Sequence, residues 1–267
     1  MLIYKKDSLG NRIKEYENSF RINLPKRLPI IVRFDGKAFH SYTKDCKRPI
    51  DINLIDCMNE TAIYVCKNVQ GCKLGYIQSD EVSLLITNYE NLNTQSYFDN
   101  NLQKIISIVA ALASSYFTSI SSKIFGTIKL AQFDSRAFVL PKEEVCNYMI
   151  WRQQDATRNS VQMLARTLYS HKECNNKNNS ELQELCWKKG INWNDCPTFQ
   201  KRGRCIIKVQ SQQEAMNPKT GEIIIAERSS WQVDNEIPIF SQDRKYIEKY
   251  VYPERAMNEQ HTYQHSG

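Results

Sequence analysis

The chain has 267 residues, of which 41% are hydrophobic and 24% charged, so it can bury the core of one large globular domain. Its 36 Lys and Arg against 29 Asp and Glu give a net charge of +7, which favours a polyanionic partner over an acidic surface or a membrane. The nine cysteines form no CxxC pair and the four histidines do not cluster with them, which argues against a secreted disulfide framework and a zinc site.

The first ten residues, MLIYKKDSLG, lack the apolar core of a signal peptide. The longest apolar stretch, IISIVAALASSYF, is interrupted by serines and is too short to span a bilayer. We therefore expect a soluble cytoplasmic protein whose cysteines are reduced and packed as small apolar side chains.

The first half of the chain alternates between strand and helix patterns. Residues 52–70 and 102–117 have apolar residues every three or four positions, which predicts helices, whereas short β-branched runs predict strands. The predicted order is strand, helix, strand, strand, helix, strand, over residues 30–34, 52–70, 71–78, 81–87, 102–117 and 127–141.

This order is the split βαβ pattern of a ferredoxin-like α+β fold, an antiparallel sheet with both helices on one face. In that arrangement the end of the first strand lies near the turn between the second and third strands. Asp35 ends the first strand and Asp80 lies in that turn, so we expect the two carboxylates to be neighbours.

After Pro141 the pattern changes to a long polar helix over 142–170, an Asn-rich connector over 171–180 and a short helix ending at Gly190. Two strands around the turn sequence NPKTG follow. We predict a catalytic domain over 1–140, a helical and β-ribbon extension packed on it over 141–255, and a flexible tail over 256–267.

Paired carboxylates beside a glycine are typical of a two-metal phosphoryl-transfer site, because Mg²⁺ prefers oxygen ligands and keeps several waters. Asp35, Asp80 and the carbonyl of Gly36 are the predicted ligands, with Glu81 as a third carboxylate. From these residues alone, a plain turn at Asp35-Gly36 and a hairpin tip at Ser79-Asp80 explain the pattern equally well.

Four segments together resemble one known family: RFDGKAFHSYT, GYIQSDEVSLL, FDSRAFVLP and YMIWRQQDATRNS. In this order they are similar to the tRNA-His guanylyltransferase family and its guanylyltransferase-like relatives, which add nucleotides in the 3′-to-5′ direction. The resemblance covers about residues 8 to 170, and more weakly continues to about residue 231. It implies a fold similar to the polymerase palm, in agreement with the split βαβ pattern.

The resemblance also implies roles for individual residues. Asp35, the Gly36 carbonyl and Asp80 would hold two Mg²⁺ ions. The residues that match positions along the nucleoside triphosphate are Lys37, Ala38, Phe39, His40, Arg48, Ser79 and Asn159. Arg136, Arg152 and the run Lys201, Arg202 and Arg204 are candidate RNA contacts, although Arg136 could instead pair with Asp134 and the others could simply be solvated surface.

The family reaction has two phosphoryl-transfer steps. A nucleotide, usually ATP, first activates a 5′-monophosphate RNA end with release of pyrophosphate, and the 3′-hydroxyl of an incoming nucleotide such as GTP then attacks the activated phosphate. Positioning and charge neutralisation dominate such steps, so no histidine nucleophile is needed. The resemblance further implies tRNA as partner and a homo-oligomer, commonly a tetramer.

One departure from the family pattern bears on the substrate. Where the tRNA-His-specific eukaryotic enzymes carry a His-Ile-Asn-Asn run, this chain has Thr157-Arg158-Asn159-Ser160. This form resembles the bacterial and phage relatives, which favours templated repair of 5′-truncated tRNA over guanylylation of tRNA-His. A palm-type nucleotide cyclase and a non-catalytic RNA-binding module remain as alternatives, although a module without chemistry has no need to hold two uncompensated carboxylates together.

Overall fold

The computed structural model describes residues 8–216 and 223–252. The helices of the described residues are α1 Leu9–Ser19, α2 Phe39–Tyr42, α3 Ile52–Asn68, α4 Leu102–Phe125, α5 Lys142–Leu168, α6 His171–Cys174, α7 Asn179–Lys188, α8 Thr198–Arg202 and α9 Lys245–Val251. The strands are β1 Ile30–Gly36, β2 Cys72–Gln78, β3 Glu81–Ile86, β4 Phe133–Val139, β5 Arg204–Met216 and β6 Ile223–Asp234. Short 3-10 turns occupy Tyr97–Asn100 and Trp193–Asp195.

The strands form one antiparallel sheet in the order β4-β1-β3-β2-β5-β6. The first four strands have the order that a split βαβ fold requires, because α3 and α4 each join strands that are consecutive in the chain but separated by one strand in the sheet. The predicted ferredoxin-like, palm-like fold is therefore confirmed.

The two faces of the sheet pack against different helices. Ile30, Val32 and Phe34 of β1 join α3 and α4 in one apolar core, whereas Ile31 joins α5 and α9 in a second core on the opposite face. Side chains alternate along a strand, so Arg33 and Asp35 lie on the α5 side. This alternation places the carboxylate of Asp35 on the face that α5 covers.

Helix α4 is longer than the apolar stretch that predicted it. It has 24 residues, and its most apolar 18-residue window has a mean hydropathy of 1.5, so by length and composition alone it could cross a membrane, which corrects the expectation that this segment is too short. One such helix is weak evidence for a membrane span. Its buried residues Ile105, Val109, Ala113 and Phe117 pack in the core on the sheet, whereas Ile108 and Phe125 are more than a third exposed.

The predicted extension is continuous with the palm sheet. Strand β5 pairs with β2 from Leu74↔Ile207 to Ile77↔Arg204, and β6 pairs with β5. The predicted Asn-rich connector contains a helical turn, α6, because Ser170 and Glu173 form a capping box. The predicted turn NPKTG, over 217–221, and the predicted tail over 256–267 lie outside the described residues.

Candidate active site

Three carboxylates form a row across the sheet. In the strand register, Asp35 of β1 lies opposite Glu81 of β3 on one side and Asp134 of β4 on the other. Directly paired residues point to the same face, so all three side chains lie on the α5 side. Asp80, in the two-residue turn before Glu81, is close enough for its charge to act on Asp35. The structure thus brings Asp35 and Asp80 together as the topology predicted.

The Asp35 carboxyl is half-buried and electrostatically unfavourable when ionised. Burial, followed by repulsion from Asp80, Glu81 and Asp134, raises its pKa from 3.8 to about 6, and Arg136 only partly opposes this. Among the described residues, no donor hydrogen-bonds to this carboxylate and no cation pairs with it. A bound cation would supply the missing compensation.

Among the described residues, the Asp80 carboxylate accepts a side-chain hydrogen bond only from its neighbour Ser79. Burial raises its pKa, while the Ser79 hydroxyl, which donates to Oδ1 at 3.0 Å, lowers it. In the described part of the chain no cluster of three or more His, Cys, Asp or Glu is arranged to hold a metal. Two carboxylates and the Gly36 carbonyl still fit Mg²⁺, which takes its other oxygens from water and phosphates.

Only glycine fits at position 36. A Cβ there would lie 2.1 Å from Cδ2 of Phe39, whose ring packs against Phe117 and Phe133 and stacks on Tyr42. Phe39 is 5% exposed, so its side chain belongs to the core and only its backbone can face a nucleotide.

Not every backbone amide in the segment after Gly36 is free to bind phosphate. The Lys37 amide donates to the Gln132 carbonyl at 2.8 Å, which removes it from a phosphate cradle. Ala38 has a left-handed backbone and precedes α2, so the first amides of that helix have no carbonyl one turn earlier. The side chains of Lys37 and His40 are exposed.

The remaining predicted nucleotide contacts lie on three different elements. Ser79 is exposed at the β2–β3 turn. Arg48 is exposed in the loop after α2, where its Nη2 donates to the Thr43 carbonyl at 3.3 Å. Asn159 is exposed on α5, and its Nδ2 lies 3.5 Å from Oδ2 of Asp155.

The structure corrects the predictions for Arg152 and Glu81. The Arg152 side chain is 7% exposed, and its Nε and Nη2 donate to the two carboxylate oxygens of Glu81, each at 2.8 Å. Gln78 Nε2 donates to the same carboxylate at 3.0 Å. Arg152 is therefore not an RNA contact, and Glu81 is not a spare metal carboxylate.

Arg204 is also wrongly predicted as an RNA contact. Its side chain is buried on the face of the sheet that α3 covers, where Nε donates to Oδ1 of Asn59 and Nη2 donates to the Ile55 carbonyl at 3.4 Å. This burial lowers its pKa to about 10. Within the same run, Lys201 and Arg202 are half-buried, and Lys201 Nζ donates to the Asn194 carbonyl at 2.5 Å.

Arg136 pairs with Asp134, which is one of the two alternatives that the sequence left open. Its Nη2 donates to Oδ1 of Asp134 at 3.0 Å, and this bond raises the arginine pKa. Half of the side chain remains exposed, beside the carboxylate row.

Sequence reasoning missed the residues that fix α5 on the sheet. The Gln153 side chain donates to the Pro238 carbonyl and accepts from the Phe240 amide, both at 2.8 Å, and the Tyr148 hydroxyl bonds to that of Ser83 at 2.8 Å. These partners are 65 to 87 positions away in the chain, so no local pattern could have indicated them.

Comparison with known proteins decides the family. The family model described as Thg1, tRNAHis guanylyltransferase, matches residues 10–141. A solved bacterial tRNA(His) guanylyltransferase (Thg1)-like protein in complex with ATP is 47% identical, covers 92% of this chain and 100% of its own, and superposes with a TM-score of 0.82. The chain belongs to the Thg1 family. This confirms the predicted resemblance and makes the chain a nucleotidyltransferase by family.

Two further comparisons agree. A bacterial Thg1-like protein in complex with GTP is 46% identical over 92% of this chain and 100% of its own, with a TM-score of 0.74. The tRNA(His) guanylyltransferase of Schizosaccharomyces pombe is 29% identical over 218 residues, which is 76% of this chain and 81% of that protein. The bacterial Thg1-like proteins thus share more of this sequence than the fission-yeast enzyme does.

Proposed function

We propose that this Thg1-family protein adds nucleotides in the 3′-to-5′ direction, directed by a template, to the 5′ end of tRNA, and so repairs truncated ends. The observation that carries the proposal is the pair Asp35 and Asp80, two partly buried carboxylates that no Lys or Arg of the described residues neutralises. Such a pair costs stability unless a cation compensates it.

Asp35, the Gly36 carbonyl and Asp80 would hold two Mg²⁺ ions. When bound, such ions neutralise phosphate charge and act on both the attacking and the leaving oxygen of a displacement. Because Gly36 lies against the Phe39 ring, the carbonyl and the first amides of α2 are held in one rigid unit.

The chain's own residues would bind and orient the triphosphate. Lys37 and Arg48 supply positive charge, Ser79 and Asn159 supply hydrogen-bonding groups, and the amides from Ala38 to His40 face the phosphates. In the first step an oxygen of the RNA 5′-phosphate attacks the α-phosphorus of ATP and pyrophosphate leaves. In the second step the 3′-hydroxyl of the incoming nucleotide attacks the activated 5′-phosphate and AMP leaves.

Residues 157–160 support a template-directed reaction. Thr157 donates to the Gln153 carbonyl, Arg158 pairs with Asp155, and Ser160 accepts from the Trp193 indole at 3.0 Å. Asn159 is exposed and makes only the 3.5 Å contact with Asp155, so the segment offers little for reading a particular base. Pairing with a template would then choose the nucleotide.

The proposal includes assembly into a homo-oligomer, a tetramer by family resemblance, in the cytoplasm. Support comes from α1, which has no buried residue. Its large apolar side chains Leu9, Ile13 and Tyr16 are each more than half exposed. These residues lie on one face of the helix, where a second copy would cover them. All nine cysteines are unpaired, as expected in a reducing compartment.

The test compares wild type with Asp80→Ala on a 5′-monophosphorylated tRNA that lacks its first nucleotide, with ATP, Mg²⁺ and labelled nucleotide. Glu60→Ala, which removes an exposed carboxylate from α3 on the opposite face, is the matched control. We expect template-matched extension by wild type and by Glu60→Ala but none by Asp80→Ala.

Other outcomes would replace the proposal. Addition of G to intact tRNA-His, with no extension of truncated tRNA, would indicate tRNA-His guanylylation. Turnover of nucleoside triphosphate without RNA would indicate a cyclase, and tRNA binding without turnover would indicate a binding module.

A further inference from the structure

A polar recess lies where the end of α5 meets α6 and α7. Its volume is about 130 Å³, and its polar lining comes from Gln162, Arg166, His171, Asn175, Asn176 and Lys177. Among the described residues, no Asp or Glu lines it. The recess therefore combines positive side chains with amide donors, which is the chemistry of an anion site.

The positive charges of this recess, on Arg166 and Lys177, are not neutralised by the residues that the structure describes. In residues 8–216 and 223–252, neither of these side chains, nor the imidazole of His171, has a hydrogen-bond or ion-pair partner. The nearby acids are engaged elsewhere, because Glu173 accepts from the Ser170 amide at 2.9 Å and Glu181 from the Asn178 amide at 2.7 Å. Both acids serve as helix caps, which leaves the recess cationic.

Helix α5 connects this recess to the carboxylate row. Arg152 contacts Glu81 beside Asp80, and Arg166 lies 14 residues further along the same helix, a rise of about 21 Å. Asn159, Gln162 and Arg166 are spaced by three and four residues and therefore share one face. Two of the three are exposed and Gln162 is half-buried.

This face of α5 would not repel a polyanion. Its one acidic residue, Asp155, is paired with both Arg152 and Arg158 at 3.0 and 2.9 Å. Consider an RNA strand whose 5′ end lies at Asp35 and Asp80 and which runs along α5. It meets the side-chain amides of Asn159 and Gln162 first, and then the cationic recess. The distance of about 21 Å between the carboxylates and the recess suits a polymer that carries phosphates at regular intervals.

We propose that this recess binds a backbone phosphate of the tRNA, about 20 Å along α5 from the reacting 5′ end. The inference rests on the proposed function, since it takes the RNA end to lie at the carboxylates. A phosphate contact of this kind fixes the register of the RNA on the protein without reading its sequence. It also supplies positive charge that Arg152 and Arg204, both buried, do not.

The test measures tRNA affinity as a function of salt, without ATP, for wild type and for Arg166→Gln/Lys177→Gln. The control is Lys172→Gln/Lys188→Gln, which removes the same charge from exposed positions outside the recess. Loss of one phosphate contact should make the slope of log affinity against log salt shallower by about 1. The control should change the slope by less than about 0.5, and kcat at saturating tRNA should stay at the wild-type value.

Three results would overturn the inference. Equal slopes for the two double variants would show that only net charge matters. A higher KM for ATP in the Arg166→Gln/Lys177→Gln variant would show that the recess binds free nucleotide. Wild-type tRNA affinity in that variant would leave the recess without a role.

The proposed function can fail separately. Wild-type protein that binds tRNA with the expected difference in slopes, but does not extend truncated tRNA, would remove the proposed function and keep the recess. Wild-type protein that binds no tRNA at any salt concentration would remove both. An RNA hairpin too short to span about 20 Å gives a further readout, because wild type and the Arg166→Gln/Lys177→Gln variant should bind it equally.

Discussion

Arg152 and Glu81 form a two-bonded ion pair across 71 positions of the chain, with both N···O distances at 2.8 Å. The pair joins α5 to the first residue of β3, directly after Asp80. Because both side chains are largely buried, the pair holds one edge of the β2–β3 turn in a fixed place. We infer that Arg152 positions Asp80 through Glu81.

Removing one partner of this pair should be costly. In Arg152→Ala the buried Glu81 keeps only the more distant Arg33, whose Nη1 lies 3.9 Å from Oε2, and we expect the free energy of unfolding to fall by about 3 kcal/mol. Arg152→Lys keeps the charge but loses the paired bonds, so the loss should be smaller. Urea unfolding gives the stability, and activity against Mg²⁺ concentration should show a higher requirement in Arg152→Lys.

The matched control removes an arginine from the exposed side of the same helix. Arg158→Ala breaks only a solvent-exposed bond to Asp155, for which about 0.5 kcal/mol is expected. If Arg152→Ala unfolded at the same urea concentration as Arg158→Ala, the pair would have no structural role.

Asp35→Asn should stabilise the protein in the absence of metal. The folded-state pKa of Asp35 is raised to about 6 from 3.8, so the native state binds the proton more tightly than the unfolded chain does. Ionisation therefore weakens the wild-type fold as the pH rises from about 4 to about 6. Discounted for solvent screening of this half-exposed group, the loss is about 1 kcal/mol.

The measurement is urea unfolding in EDTA at about pH 4.5 and about pH 7.5, which lie below and above the folded-state pKa of Asp35. Asp35→Asn should exceed wild type at the higher pH and approach it at the lower pH, while being inactive in nucleotide addition. Asp45→Asn, at an exposed loop position, should show no such gain. A destabilised Asp35→Asn at the higher pH would contradict the electrostatic account.

The sequence was sufficient for the palm fold because its periodic apolar residues are the ones that the core needs. Met58, Ala62 and Val65 of α3 and Ile105 and Val109 of α4 are all buried in one cluster on the sheet. The predicted strand order was then enough to place Asp35 next to Asp80, because the topology of a sheet fixes which strand ends lie together.

The sequence could not show which charged residues are buried. Arg152 is followed by polar residues and Arg204 lies in the basic run KRGR, yet each is buried against a partner 71 or 145 positions away. A solvated arginine and a buried, paired one have the same local pattern, so only the fold separates them. The basic recess also went unnoticed, because its residues come from three helices and from the connector between α6 and α7.

Gly36→Ala should damage the site through Phe39. The new Cβ would overlap a ring that is held in the aromatic core, and relief requires the ring or the Gly36 backbone to move. We expect a loss of about 1–3 kcal/mol in stability and a larger loss of activity, because the carbonyl and the α2 amides shift.

A double-mutant cycle with Phe39→Ala tests this contact. The smaller side chain makes room for the Cβ, so Gly36→Ala should cost less in the Phe39→Ala background than in wild type. Urea unfolding of the four proteins gives the coupling energy. Additive losses would mean that the overlap is relieved without strain.

Gln153 and Gln154 offer a paired test of how α5 is held. The buried Gln153 amide donates to the Pro238 carbonyl and accepts from the Phe240 amide, whereas Gln154, next to it, is exposed. In Gln153→Ala the buried Phe240 N–H has no acceptor, and we expect a loss of about 1–3 kcal/mol. Thermal or urea unfolding should show this loss for Gln153→Ala and almost none for Gln154→Ala, and equal stability of the two variants would refute the anchoring role.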